Sequence, residues 1–228
     1  MKVNNTFVSL QGEGVLVGVP MVFVRLAGCN LNPKCAFCDT EYAQNPDAGE
    51  ELSVWRVVER VGKLVTGHRP WVCITGGEPL LQAEELYELV QLLRSAGFRI
   101  TVETNGSLAP PRWHALVDSW SADIKCPSSG VHGVSKSAWH NLGHSDQVKF
   151  VVGTKEDLDF AETMIHRYKD CGPAIVVSPI AKLLVDGDIT EEYWDQSWLR
   201  EVWEFCVTYH VRWSLQQHKL VWGDRKGV

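Results

Sequence analysis

The chain alternates short apolar runs with amphipathic segments of helical period, and that alternation restricts its fold more than any other feature. Runs at 21–27, 71–75, 99–103, 120–124, 147–152, 174–178 and 211–216 are short, rich in Val and Ile, and bounded by Gly, Pro or polar clusters, as strands are. Between them lie helical patterns. Ser53 is placed to cap a helix carrying Val54, Val57, Val58, Val61, Leu64 and Val65 on one face, stopped near Gly67. Leu86, Leu89, Val90 and Leu93 repeat at helical spacing, with Gly97 where a C′ glycine belongs. Thr154 and Asp157 form a capping-box pattern ahead of Leu158, Ala161, Met164, Ile165 and Tyr168, and a weaker helix is predicted over 191–207. Strand, helix, strand in repetition implies right-handed crossovers and a parallel sheet. With about six or seven mostly parallel strands rather than eight, the expected α/β fold is an incomplete (β/α) TIM-like barrel, one domain over 1–228 without repeat or linker. Chemistry in such folds gathers at the C-terminal ends of the strands.

Charge removes some functions. A formal net charge of −6 argues against a chain that holds nucleic acid by electrostatics, although local cations could still hold a small anion. No apolar stretch reaches membrane-spanning length, and Met1-Lys2-Val3-Asn4-Asn5 lacks a signal-peptide layout, so a cytoplasmic protein with no membrane partner is expected. In a reducing compartment, seven cysteines suggest metal binding or catalysis rather than a disulfide framework.

Cys29, Cys35 and Cys38 form C-x5-C-x2-C directly after the 21–27 strand. Three thiolates from one loop can hold three corners of a 4Fe–4S cube and leave the fourth iron to another ligand. A structural zinc site would want four ligands in two pairs, and neither a second C-x2-C nor a nearby His pair is present; His68 lies far along, at a helix end. A redox C-x-x-C would not explain Cys29. Cys73, Cys126, Cys171 and Cys206 lie in or beside apolar runs and read as core thiols.

Other strand ends carry polar groups. Thr75-Gly76-Gly77-Glu78-Pro79 exposes backbone N–H and C=O groups, and Glu78 offers a carboxylate to a cation; alone it would be an ordinary strand-to-helix turn. Glu103-Thr104-Asn105-Gly106 and Asp123-Ile124-Lys125 end the next two strands. Arg25 is a cation within an apolar strand, so it either faces a barrel mouth or holds an anion. Ser9-Leu10-Gln11-Gly12-Glu13-Gly14 is too irregular for a phosphate loop and could be merely a turn.

Taken together, these residues resemble the radical S-adenosylmethionine superfamily, in which a three-cysteine loop and a Gly-Gly-Glu turn follow in this order on a partial barrel. More narrowly, the chain resembles the 7-carboxy-7-deazaguanine synthase family. That likeness rests on Leu10-Gln11-Gly12-Glu13-Gly14, Arg25 ahead of Ala27-Gly28-Cys29, Cys38-Asp39-Thr40, Thr75-Gly76-Gly77-Glu78-Pro79, Glu103-Thr104-Asn105-Gly106 and Leu215-Gln216-Gln217-His218-Lys219. It runs from end to end. The first cysteine spacing is longer than the C-x3-C of many superfamily members, and variable spacing there is a feature of the family it resembles. The chain departs from relatives in Asp123-Ile124-Lys125, where Ser-Pro-Lys is frequent, and in a tail running past His218 to Val228.

The resemblance implies a lyase of queuosine-type 7-deazapurine biosynthesis that cleaves S-adenosylmethionine to a 5′-deoxyadenosyl radical. Abstraction of the C6 hydrogen of 6-carboxy-5,6,7,8-tetrahydropterin then starts a ring contraction to 7-carboxy-7-deazaguanine with loss of ammonia. By the same resemblance Cys29, Cys35 and Cys38 hold the cluster, while Gly77, Phe37, Asp39, Glu103, Asp123 and Lys125 surround S-adenosylmethionine. Leu10, Gln11, Gly12, Glu13, Arg25, Thr75 and, more weakly, His218 read the pterin, and Thr40 binds Mg²⁺, a hard cation suited to oxygen. An electron donor such as flavodoxin or ferredoxin is implied. Ten tryptophans suggest aromatic surface for a homodimer. Two rivals stand: an activating enzyme that places a glycyl radical on a partner protein, which would need neither Arg25 nor Thr40, and a non-enzymatic iron–sulfur or zinc module.

Overall fold

In the computed structural model, which describes residues 1–65, 70–132, 139–168, 172–181, 195–223 and 225–227, the apolar runs pair side by side. Lys2–Leu10 (β1) runs antiparallel to Pro20–Leu26 (β2), and Glu50–Glu51 (β3) adds a short antiparallel pair beyond β1. Trp71–Gly76 (β4), Arg99–Thr104 (β5), Ser119–Asp123 (β6), Gln147–Val152 (β7), Ala174–Pro179 (β8) and Arg212–Trp213 (β9) then follow β2, each parallel to its neighbour. The order among the described residues is β3-β1-β2-β4-β5-β6-β7-β8-β9, an open sheet whose parallel portion holds seven strands, within the expected six or seven. The fold is a partial TIM-like barrel.

Two faces of this sheet have different chemistry because successive side chains alternate. Val22, Val24 and Leu26 of β2 belong to the main core, as do Val72 and Ile74 of β4, Ile100 and Val102 of β5, Trp120 and Ala122 of β6, and Val148, Phe150 and Val152 of β7. The intervening residues form the other face. Its lower layer is apolar, with Met21, Phe23 and Cys73 against Phe7. One pleat higher it turns polar, where Arg25 sits beside Thr75, Glu103 beside Ser121, and Asp123 beside Lys149 in register. An unbroken apolar run on one face thus delivers a row of charged side chains to the other.

The helices follow their caps. Val54–Leu64 (α1) begins where the Ser53 hydroxyl accepts the Arg56 N–H. Ala83–Ser95 (α2) buries Leu86, Leu89, Val90 and Leu93, and ends in a Schellman motif. There Gly97, at φ 85°, donates to Arg94 and Phe98 donates to Leu93. Lys155–Tyr168 (α3) opens with the reciprocal Thr154–Asp157 bonds.

Some expectations change. Gln196–Tyr209 (α4) starts later than 191, because the Asp195 carboxylate accepts the N–H groups of Ser197 and Trp198 and caps the helix there. Residues 191–194, like Gly67, His68 and Cys171, lie outside the described residues. The predicted 211–216 strand shrinks to β9, and its continuation becomes a short helix, Gln217–Trp222 (α5). β1 and β3 were not expected. Among the described residues no helix is long and apolar enough to cross a membrane.

Candidate active site

A cavity of about 480 Å³ opens at the C-terminal ends of the parallel strands, where barrel chemistry is expected. The cysteine loop forms one wall. It leaves β2 through Gly28, at φ 102°, and is tied down by Gly28 N–H to Ala43, Cys29 N–H to Gln44 and Ala36 N–H to Ser129. Cys29, Cys35 and Cys38 are free, half-buried thiols that all line the cavity. Burial first, and the neighbouring Asp123, Cys38 and Cys29, push the Cys35 thiol up against the opposing pull of Lys125. Among the described residues no three His, Cys, Asp or Glu side chains converge as ligands of one metal ion. Thiols bound to separate corners of an iron–sulfur cube have no need to converge. Cys73, Cys126 and Cys206 are buried in the core as expected, and burial pushes Cys206 up to about 12.

The glycine turn packs directly on the cysteine loop. Gly77 donates to Leu26, and Glu78 N–H donates to Gly28 at 2.7 Å. A Cβ on Gly77 would strike the Gly28 carbonyl, and one on Gly76, at φ 139°, would strike that of Leu26. Only glycine allows this approach. Glu78 does not offer its carboxylate to a cation in the cavity. It is fully buried and accepts the N–H groups of Leu80 and Asn105 and the hydroxyl of Thr104, at 2.7–3.0 Å. It therefore locks the end of β5 to the turn, and places Asn105 with its amide 4.0 Å from Cys29 Sγ. This wall of backbone and thiols fits an iron–sulfur cluster with an amino-acid ligand beside it.

Charged groups continue the lining from the thiols along the strand ends. Lys125 holds Asp123 at 2.6 Å, Lys149 reaches Asp123 at 3.4 Å and Glu13 at 3.2 Å. Burial works against charge on Asp123, but Lys125 and Lys149 outweigh it and lower its pKa. Glu103 accepts from the Gln11 amide at 2.9 Å and from the Thr75 hydroxyl at 2.8 Å. Arg25 lies between the rings of Phe7 and Tyr42, 5.7 and 5.8 Å from their centroids, and its Nη1 donates to Thr40 at 3.4 Å. The Thr40 hydroxyl donates to Asp39. Despite the cost of burial, Lys219, the Thr40 bond, His218 and Arg25 hold the Asp39 carboxyl down at about 2. Two buried polar atoms of this cavity wall, Arg25 Nε and Glu13 Oε2, have no hydrogen-bond partner.

Fifteen of the residues expected from sequence line this one cavity: Cys29, Cys35, Cys38, Phe37, Asp39, Thr40, Gln11, Glu13, Arg25, Thr75, Gly77, Glu103, Asp123, Lys125 and His218. Leu10 and Gly12 are not brought into it. Leu10 is 56% exposed, and Gly12 packs under the His218 ring with its carbonyl accepting from Gln217. Sequence reasoning quoted Asn105 and Lys219 within motifs without giving them a role, and missed Lys149, Tyr42 and the tail residues Arg225 and Lys226, whose ammonium lies 4.4 Å from the Tyr42 ring centroid.

The radical SAM superfamily model matches residues 24–179, from the end of β2 through the cysteine loop to β8. A 7-carboxy-7-deazaguanine synthase from Methanospirillum hungatei is 42% identical over 181 residues, 79% of this chain and 73% of that protein. One from Pyrobaculum aerophilum is 34% identical over 237 residues, 100% of this chain and 97% of its own. The chain belongs to the 7-carboxy-7-deazaguanine synthase family. Consistent with that membership, the crystal structure of QueE from Escherichia coli superposes with a TM-score of 0.73 at 25% identity, covering 95% of this chain and 94% of that one. Radical SAM membership brings a 4Fe–4S cluster and S-adenosylmethionine to this 7-carboxy-7-deazaguanine synthase family, and the thiol and glycine walls accommodate both.

Proposed function

We propose that this protein converts 6-carboxy-5,6,7,8-tetrahydropterin to 7-carboxy-7-deazaguanine and ammonia, a reaction whose first product is the one named for its relatives. One observation supports that substrate above all: the cavity shared with the three thiols keeps a buried donor, Arg25 Nε, and a buried acceptor, Glu13 Oε2, without partners. Buried polar groups are normally satisfied, so both are set to be satisfied by a ligand. A carboxylated pterin offers the complement of each, an anionic carboxylate for the guanidinium and ring N–H groups for the carboxylate.

When bound, the reduced cluster and S-adenosylmethionine supply a carbon radical able to abstract hydrogen. The chain's own residues bind and orient. Cys29, Cys35 and Cys38 hold the cluster, and Gly77 backbone, Phe37, Asp39, Asp123 and Lys125 hold S-adenosylmethionine. Glu103 joins Gln11 to Thr75 and so links the two ligand sides. Phe7 and Tyr42 keep the Arg25 guanidinium in a partly dry slot, where its attraction for a carboxylate is less screened. Thr40, already between Asp39 and Arg25, would supply a hydroxyl to Mg²⁺, a hard cation able to steady a substrate carboxylate. An electron donor such as flavodoxin or ferredoxin, a reducing cytoplasm and a homodimer complete the proposal, with exposed Trp55, Trp203 and Trp222 offering aromatic surface to a second copy.

Arg25→Ala tests the substrate assignment. A charged hydrogen bond of this kind is worth about 1.5–3 kcal/mol, so the variant should lose about 10-fold to 100-fold in kcat/KM for the pterin while still binding S-adenosylmethionine. Unchanged pterin turnover would remove Arg25 from the substrate site, and no pterin turnover by cluster-loaded wild type would remove the assignment itself.

A further inference from the structure

Lys149 has no role in the account so far, and it is buried between two carboxylates of the cavity wall. It leaves β7 on the polar face, with its side chain only 10% exposed, 3.2 Å from Glu13 and 3.4 Å from Asp123. Burial opposes its charge, yet Asp123, Glu13 and Glu103 prevail and raise its pKa well above the usual lysine value. The ammonium is therefore a permanent cation in the wall.

Its two carboxylates depend on it unequally. Asp123 keeps a second and shorter partner, Lys125 at 2.6 Å. Glu13 has, among the described residues, no other cation within ion-pair reach. Lys149 engages Glu13 Oε1 and leaves Oε2 as the buried acceptor without a partner. The turn that carries Glu13 is held separately, by Gly14 N–H to Ser214 Oγ and Val15 N–H to Gln147 Oε1. Removing the ammonium thus leaves the turn in place and Asp123 paired, but releases the Glu13 carboxylate.

We propose that Lys149 is a positioning residue for the substrate side: it fixes Glu13 so that one carboxylate oxygen faces the ring N–H groups of the bound pterin. This inference rests on the pterin assignment above. It predicts an asymmetry that a merely structural lysine would not show. Loss of the ammonium weakens the pterin and spares S-adenosylmethionine, because Lys125 still neutralises Asp123.

The test uses the cluster-loaded protein, anaerobic and without reductant so that nothing turns over. 6-Carboxy-5,6,7,8-tetrahydropterin and S-adenosylmethionine are titrated separately into wild type, Lys149→Met and Lys149→Arg by calorimetry. Lys149→Met should weaken the pterin by about 10-fold or more, bind S-adenosylmethionine as wild type does, and be largely rescued by arginine. Pterin affinity unchanged in Lys149→Met overturns the proposal. So does equal loss of both ligands in a variant whose circular dichroism is native, since that is the behaviour of a structural residue. A wild type that fails to bind the pterin sinks the substrate assignment and this inference with it, whereas a wild type that Lys149→Met matches sinks only the inference.

Discussion

Glu78→Gln isolates the residue that joins the glycine turn to the cysteine wall. The carboxylate is fully buried and accepts from Leu80 N–H at 3.0 Å, Asn105 N–H at 2.7 Å and Thr104 Oγ1 at 2.9 Å. Glutamine keeps the shape but replaces one acceptor oxygen with a donor. One of the two main-chain N–H groups then meets an NH₂ and loses its only acceptor. A buried donor left unpaired costs about 1–3 kcal/mol, and the donor–donor contact adds to it, so about 3 kcal/mol is expected. That is a large share of the about 5–15 kcal/mol that holds a typical fold. For a chain of this size it corresponds to a fall in Tm of about 6–12 °C. Anaerobic urea unfolding of the protein before and after cluster loading provides the assay, with the midpoint shifting and the slope m unchanged. Loading should widen the gap to wild type, because Asn105 follows Glu78 and lies against Cys29. A variant within about 0.5 kcal/mol of wild type would refute the claim that these bonds organise the wall.

Further outcomes follow from neighbouring contacts. Gly77→Ala places a methyl against the Gly28 carbonyl, a main-chain atom that cannot swing aside, so cluster content after reconstitution should fall severely by iron and sulfide analysis. Asp39 has a folded pKa of about 2, below its unfolded value, so its stabilising contribution is present above the ordinary carboxylate range and is lost as pH falls from about 4 towards 2. Asp39→Asn should flatten that part of the stability–pH curve, followed by circular dichroism, and an unaltered acid limb would contradict the assignment. Thr40→Val should raise the Mg²⁺ concentration needed for half-maximal turnover without changing S-adenosylmethionine binding, measured by metal titration.

Much of the fold was legible because its parallel strands are buried on the helix side and read as continuous Val and Ile runs, with caps at Ser53, Thr154 and Gly97 marking the helices. β1 escaped because Asn4, Asn5 and Thr6 interrupt its apolar alternation, and its strand state is imposed by pairing with β2. α5 escaped because six residues carry too little periodicity to oppose the apolar run before it. In the site, the cysteine spacing and the polar strand ends pointed to the correct end of the barrel. Lys149 was readable by the reasoning already applied to Arg25, a cation inside an apolar strand, and was passed over. Glu78 shows the converse. Its position after two glycines suggested a ligand, whereas one donor from its own turn and two from the end of β5 consume it, and no sequence pattern reveals which way a carboxylate faces. Lys219, Arg225 and Lys226 reach the cavity only through the turn of α5, which tertiary packing alone decides.

The most direct measurement is anaerobic conversion by the reconstituted protein. Iron- and sulfide-loaded enzyme is given reductant, Mg²⁺, S-adenosylmethionine and 6-carboxy-5,6,7,8-tetrahydropterin, and products are read by mass spectrometry. The account predicts 7-carboxy-7-deazaguanine, formed by wild type and sharply reduced in Arg25→Ala. Formation of 5′-deoxyadenosine from protein carrying a verified cluster, with no 7-carboxy-7-deazaguanine at any pterin concentration, would contradict it.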